Sequence, residues 1–373
     1  MTLSLVAGGY PPDLDGIGDY TYFLAKALAE RKDIAKSVVV YTRKGSLEHT
    51  PGVRVTPFFE FRRPSSIGDL VPLVAQDSPD WLVLQYNPFS WGARGFCPAL
   101  PSTLRRVKKL PRAPKLAVMF HETTVPKWPW RFAVMYAWQR PILRVLARQA
   151  DAVFVSTRRW VPELQSAGSR IPATLLPVGS NIPRSPLTRK EARQCLGISE
   201  DCLVLGIFGG AHPSRLLDWI AEAARAVQHT QRNLLVVHVG PEGESMKGAM
   251  SGLPLRTLGT RSAEAAGDAL RAMDFLVSPF IDGVSTRRGS VMAALNNGLP
   301  VATTIRDWSD DYFRTVDSGF VLGSKAASKQ AFASEIAAWA RPLQEDRSRS
   351  VQAAFDPNFS WPILAGQLLA KLR

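Results

Sequence analysis

Short apolar runs, each followed by a helical pattern, recur along this chain; the alternation stops at a turn-rich segment and then starts again. The runs cover residues 3–7, 37–41, 81–85, 116–120 and 152–156, and, after the turns of residues 177–186, residues 203–208, 234–239, 255–258, 275–278 and 301–304. Apolar runs this short, separated by helix-like stretches such as residues 20–30 and 132–148, are the pattern of parallel strands covered by helices. The expected fold is α/β, two consecutive doubly wound parallel sheets, with a final amphipathic helix over residues 359–373. At 373 residues, 46% of them hydrophobic, the chain is long enough to give each sheet its own core. The two halves share no close repeat, so they are similar architectures rather than recent copies.

Three cysteines, Cys97, Cys195 and Cys202, make neither a metal-ligand pattern nor an even disulfide framework, which points to a reducing compartment and a cytoplasmic protein. No apolar run approaches the roughly 20 residues a membrane helix needs. Net charge is +14, and residues 1–180 hold most of the excess, with 24 Lys+Arg against 13 Asp+Glu. Two segments concentrate it, one from Arg105 to Lys115 and one from Lys127 through Trp128, Trp130 and Arg131 to Arg148. Basic residues interleaved with tryptophan suit an anionic membrane surface, giving a peripheral contact on the inner face of the cell membrane. A solvated basic face is the plain alternative. Nucleic acid is not expected, since no helix-turn-helix, zinc-finger or RNA-recognition signature is present.

The stretch Asp282, Gly283, Val284, Ser285, Thr286, Arg287, Arg288, Gly289, Ser290 carries the most chemistry. It reads as a turn entering a short helix, so backbone N–H groups, two guanidinium forks and several hydroxyls converge where a diphosphate can bind. Arginine at a helix N-terminus opposes the dipole, and an apposed anion explains two of them there. Each unit also opens with a glycine-bearing turn after its first strand, where open α/β sheets place ligands. In the first this is residues 8–20, whose Gly16, Gly18 and Asp19 offer N–H groups to a phosphate or sugar hydroxyl. In the second it is Gly209, Gly210, Ala211, His212, Pro213, Ser214, Arg215, with Arg215 one turn from a phosphate. His121 and Glu122 follow the fourth run, where a neutral imidazole can bond a sugar hydroxyl or steady developing charge.

In order and spacing these segments resemble the GT-B glycosyltransferases, and within them the family-4 group of retaining, nucleotide-sugar-dependent enzymes. The resemblance rests on Gly9 to Pro12 with Gly16 to Gly18, Phe120 to Glu122, Asp151 to Ser156, Pro177 to Pro183, Asp274 to Pro279 and Asn297 to Val301. It implies two Rossmann-like domains facing across a cleft: residues 1–180 binding the acceptor, residues 181–355 binding the nucleotide sugar, and a C-terminal helix over residues 356–373 packing back towards the first domain. It implies that Gly16 lies against the donor diphosphate, that His121 lines the donor sugar, that Arg215 replaces a phosphate-binding lysine, and that Gly259, Thr260 and Arg261 lie near the base. The catalytic set is then His121, Arg215, Arg287 and Arg288. Gly16, Gly18, Gly209, Gly210, His212, Ser214, Gly259, Thr260, Asp282, Ser285, Thr286, Gly289 and Ser290 bind the donor. Tyr10, Asp19, Gln85, Tyr86, Asn87, Glu122, Trp128 and Trp130 bind the acceptor.

One departure is large. The family carries two glutamates ahead of its Gly-x-Pro-Val element, and those places hold Ser285 and Ala293 here. The expected activity is transfer of a sugar from a nucleotide diphosphate sugar to a saccharide or lipid-linked saccharide, in polysaccharide or glycan biosynthesis. No acidic pair suited to a metal is evident, so the expected hexosyltransferase is metal-independent and uses no cofactor beyond its donor. The lost glutamates leave open a non-catalytic nucleotide-sugar-binding subunit of a glycan synthase, and a sugar-nucleotide epimerase of the same fold is a further alternative.

Overall fold

The computed structural model describes residues 1–13, 15–31, 38–45, 47–230 and 233–373; Leu14 of the first glycine turn and Ser37 of the second run lie outside them. The chain divides into two compact units, residues 1–177 with 361–373, and residues 178–360.

The first unit is a seven-stranded parallel sheet of β1 Leu3–Val6, β2 Val38–Arg43, β3 Val53–Phe59, β4 Trp81–Tyr86, β5 Lys115–Phe120, β6 Ala152–Val155 and β7 Ala173–Leu175, in the order β3-β2-β1-β4-β5-β6-β7. Leu5 sits in register with Val40 on one side and Val83 on the other. The inner strands are buried along almost their whole length, which is why each reads as an unbroken apolar run. The edge strands β3 and β7 have no such run, because most of their residues are half-exposed.

The helix Gly16–Ala29 starts four residues before the expected residue 20, because the Asp15 carboxylate caps it by accepting from the N–H groups of Ile17 and Gly18, each at 3.2 Å. The expected tail helix is two helices, Glu345–Phe359 and Trp361–Leu372, broken where Ser360 turns extended. Phe359 therefore ends the earlier helix. The last one belongs to the first unit, where the Trp361 ring stacks on Phe23 and meets Tyr20 edge-on at 5.3 Å.

The second unit is a six-stranded parallel sheet of β8 Leu203–Phe208, β9 Leu234–Val239, β10 Leu255–Thr257, β11 Phe275–Val277, β12 Val301–Thr304 and β13 Val321–Ser324, in the order β10-β9-β8-β11-β12-β13. Asp274, with no exposed surface, ties its floor together. Its carboxylate accepts from Arg193 Nη2 and Val204 N at 2.7 Å each and from Leu343 N at 2.8 Å, and pairs with Arg189. In both units the connections run outward from one central strand pair, β1 with β4 and β8 with β11. The carboxyl ends of those pairs are the topological switch points where such sheets bind ligands.

Candidate anion-binding site

At the switch point of the second unit, β8 is followed by Gly209, whose φ of +93° needs glycine. Its carbonyl accepts from Nε2 of buried His238 at 3.0 Å. The next loop presses against it, since a Cβ on Gly240 would fall 2.9 Å from the Gly209 carbonyl. Beyond the turn, Arg215 pairs antiparallel with Phe280: Ile281 N donates to Ser214 O at 2.9 Å and Leu216 N to Pro279 O at 3.1 Å. That pairing aims the arginine across the switch point towards the Asp282–Ser290 turn.

Arg215 is only 9% exposed. Its Nη2 donates to the Ser290 hydroxyl at 3.2 Å, while Nε and Nη1 are buried without an acceptor. Burial, and then the charge of Arg288, push its pKa down to about 10. Arg288 lies with its guanidinium carbon 4.2 Å from the centroid of the Phe280 ring, the same ring that Arg215 approaches at 5.7 Å. Its Nη1 donates to the Ser214 hydroxyl at 3.0 Å and its Nη2 pairs with Asp282. Burial lowers its pKa too, against the opposite pull of Asp282.

The helix Gly289–Asn296 begins here with no side-chain cap on its first N–H groups. The positive end of a helix thus meets one buried and one half-buried guanidinium group over one aromatic platform. A bound anion is the chemical complement of that arrangement.

Other expected donor residues fall at varying distances from this centre. Ser214 joins Arg288 to His212, whose Nδ1 lies 2.7 Å from the Ser214 hydroxyl. The N–H of Ala211, next to Gly210, is taken by Glu242 Oε2 at 2.5 Å, so one donor of that turn is already occupied. Ser285 accepts from Arg288 N at 2.9 Å and makes the turn itself. Thr286 is buried, and its N–H points away to Asp310 Oδ2 at 2.7 Å. Arg287 and Gly289 are half-buried along the same turn. Gly259 bonds Gly240 N through its carbonyl at 3.0 Å and Thr260 is exposed beside it, both beyond β10 and two strands from β8. Ala293, where the family's second glutamate is expected, has no exposed surface and packs in the core.

In the first unit His121 N donates to Tyr86 O at 2.9 Å, its ring Nε2 donates to Gln85 Oε1 at 2.8 Å, and its carbonyl accepts from Trp160 Nε1 at 2.9 Å. Its ring also meets Tyr20 edge-on at 4.7 Å. Gln85 Nε2 and the hydroxyls of Tyr20 and Tyr86 are buried without partners. Asn87 bridges to Glu122 Oε2 at 3.1 Å.

Three expectations need correction here. The N–H groups of Ile17 and Gly18 are consumed by Asp15, and that of Asp19 by the Asp15 carbonyl at 2.9 Å, so the helix start is already capped by a carboxylate. Tyr10 lines no open surface: it is 1% exposed, with its hydroxyl 2.9 Å from that of Thr50. Gln85 and Tyr86 are likewise buried, in the strand floor beneath His121. Trp128 and Trp130, by contrast, are open to solvent.

The sequence reading missed Phe280, Gly240 and Glu242. A glycine directly after β9, the same signal that marked Gly209 after β8, would have found the last two. Nothing in the sequence singles out Phe280. Among the described residues no group of three or more His, Cys, Asp or Glu is placed to hold a metal ion. Nor is any helix long and apolar enough to cross a membrane.

No family model matches the chain and no curated protein matches it in sequence. Solved structures do. A sucrose-phosphate synthase from Thermosynechococcus elongatus superposes with a TM-score of 0.71 at 16% identity, over 99% of this chain and 98% of that one. WaaG, a glycosyltransferase involved in lipopolysaccharide biosynthesis, gives 0.67 at 15% identity over 99% of both chains. HepE from Anabaena, in complex with UDP and glucose, gives 0.65 at 16% identity, over 100% of this chain and 99% of that one. At these identities the likeness establishes the fold, the GT-B fold with its two Rossmann-like units.

Proposed function

We propose that this chain is a glycosyltransferase that takes a sugar from a nucleotide diphosphate sugar and passes it to a saccharide or a lipid-linked saccharide. The observation that carries the reading is Arg215, a buried guanidinium with two donor atoms unpaired at the switch point of the second sheet. A buried charge without partners is strongly unfavourable, so the site is built for an anion that arrives with the substrate. The likeness in fold to the UDP-holding HepE structure supports a nucleotide diphosphate as that anion.

In this reading Arg215 and Arg288, with the first N–H groups of the helix Gly289–Asn296, stabilise charge growing on the leaving diphosphate as the glycosidic bond breaks. Two guanidinium groups on site supply the counter-charge that a divalent ion provides elsewhere, so transfer proceeds without metal. The acceptor hydroxyl attacks from the face the diphosphate leaves, whose oxygen takes the proton, and the anomeric configuration is retained. His121, whose ring Nε2 bonds Gln85, is the side chain this reading assigns to the sugar. This reading gives Gly16 to the substrate, and an added Cβ there would meet nothing of the protein within 4 Å.

A second reading, a binding subunit that holds the nucleotide sugar without turning it over, is favoured by one observation. Asp282 is spent on Arg288, and neither Ser285 nor Ala293 supplies a carboxylate. Incubation with a panel of UDP-, GDP-, ADP- and dTDP-sugars, each together with saccharide and lipid-linked saccharide acceptors and with and without EDTA, separates the two. Release of the matching nucleoside diphosphate, unaffected by EDTA and lost in Arg288→Ala, is the transferase result; tight binding with no release is the subunit result.

A further inference from the structure

We infer that the first half of the helix Trp130–Gln149, together with Trp128 and Phe96, is a docking face for an anionic lipid bilayer. Every buried residue of this helix lies at or beyond Gln139, namely Gln139, Ile142, Leu143, Leu146 and Ala147. Residues 130–138 add nothing to the core, yet Trp130 and Val134 are 74% and 51% exposed, and Trp128 just before them is 79% exposed. Trp130, Val134 and Trp138 stand four residues apart and so share one stripe of the helix. Phe96, 54% exposed, meets the Trp138 ring edge-on at 5.9 Å and widens the stripe. Single exposed apolar side chains are ordinary, but a contiguous stripe of this kind marks a surface that is covered in use.

The loop that presents Phe96 is held under backbone strain. Arg94 adopts a left-handed φ of 54°, and its carbonyl accepts from Trp138 Nε1 at 3.1 Å and from Gln139 Nε2 at 3.2 Å. Those two bonds fasten the loop to the helix just where burial begins.

Charge selects the occupant. Residues 123–150, the segment that carries the stripe, contain five Lys+Arg and no acidic residue. Lys127 lies 5.2 Å from the centroid of the Tyr136 ring and Arg131 5.1 Å from that of Phe132, so both cations lie along one flank of the helix, beside the stripe. Tryptophan at headgroup level, Val134 and Phe96 beside it, and lysine and arginine along one flank fit an anionic membrane surface. A nucleic acid would use the cations but leave Val134 and Phe96 in water. The face follows His121 by one loop, at the same end of the sheet, so an acceptor carried on a lipid is delivered beside it. That last step rests on the transferase reading. The docking itself does not, because the stripe belongs to the first unit and the arginine site to the second.

Vesicle flotation of the full chain tests it, using vesicles of phosphatidylglycerol with phosphatidylcholine, against phosphatidylcholine alone. The expected result is low-salt binding to the anionic vesicles that weakens with added salt and falls by about tenfold or more in Val134→Asp and in Phe96→Ser. Lys127→Glu with Arg131→Glu should lose the preference for phosphatidylglycerol. All these positions are on the surface, and an unchanged melting curve without lipid confirms that each variant is folded. The inference is overturned if the wild type stays unbound at low salt, or if Val134→Asp floats as well as the wild type. It is equally overturned if sedimentation shows a dimer that Val134→Asp abolishes, or if a single-stranded oligonucleotide displaces the protein from vesicles. Nucleotide binding is a separate readout, so either result leaves the donor site to be judged by itself.

Discussion

Arg215 donates from Nη2 to the Ser290 hydroxyl at 3.2 Å while its Nε and Nη1, also buried, have no acceptor. Five N–H donors on a rigid fork are thus engaged at one atom, in a position that burial alone makes costly. A fold that served only itself would replace such a group with an apolar one of similar volume. The proposed function gives the group a partner: a negatively charged ligand at the second sheet's switch point.

Arg215→Met should therefore make the free protein more stable and the liganded one less so. Removing the unpaired buried charge stabilises by about 1–3 kcal/mol, which at roughly 2–4 °C per kcal/mol is visible in a melting scan. The same scan with a nucleoside diphosphate present should show the wild type shifting and the variant not.

Gly16 and Gly18 differ in what surrounds them, and the proposed function gives only Gly16 to the ligand. A Cβ on Gly18 would lie 3.1 Å from the backbone of Gly9 and Tyr10, so Gly18→Ala should destabilise by about 1–3 kcal/mol in a denaturant titration. A side chain at Gly16 meets open space, so Gly16→Val should change stability by no more than about 0.5 kcal/mol while lowering sugar transfer.

Asp274 gathers two arginines and two backbone N–H groups with no exposed surface. Asp274→Ala leaves those charges unpaired and should cost about 3–5 kcal/mol, read as a lower urea midpoint.

Alkaline pH should weaken the fold through its buried phenols. Burial pushes the Tyr10 hydroxyl up to about 12 from 10.0, and raises Tyr20 and Tyr86 as well. Between those two pH values the unfolded chain releases the Tyr10 proton and the folded chain keeps it. The folded state then binds more protons, and stability falls as pH rises, by about 2–3 kcal/mol for Tyr10 by pH 12. Stability measured against pH should fall within this window, and less steeply in Tyr10→Phe.

The inner strands were legible because burial on both faces leaves a continuous apolar run; β8, β9 and β12 run over the very residues the pattern marked. The edge strands β3 and β7 were not, because a strand with a wet side carries no such run, and β13 is interrupted by Gly323. At the site, residues 209–215 and 282–290 could be singled out by composition. Their juxtaposition depends on the long-range pairing of Arg215 with Phe280, which no local pattern encodes. The same holds for Asp15, whose capping carboxylate fills the place where free N–H groups were expected.

The central claim is that the arginines of the second unit hold a nucleoside diphosphate. Calorimetric titration of UDP, GDP, ADP and dTDP into the wild type, Arg215→Met and the double variant Arg287→Ala/Arg288→Ala, each with EDTA, tests it most directly. The predicted result is one nucleotide binding the wild type without metal, with affinity reduced about tenfold or more in both variants. Equal affinity in all three proteins, or no binding of any nucleotide to the wild type, would contradict it.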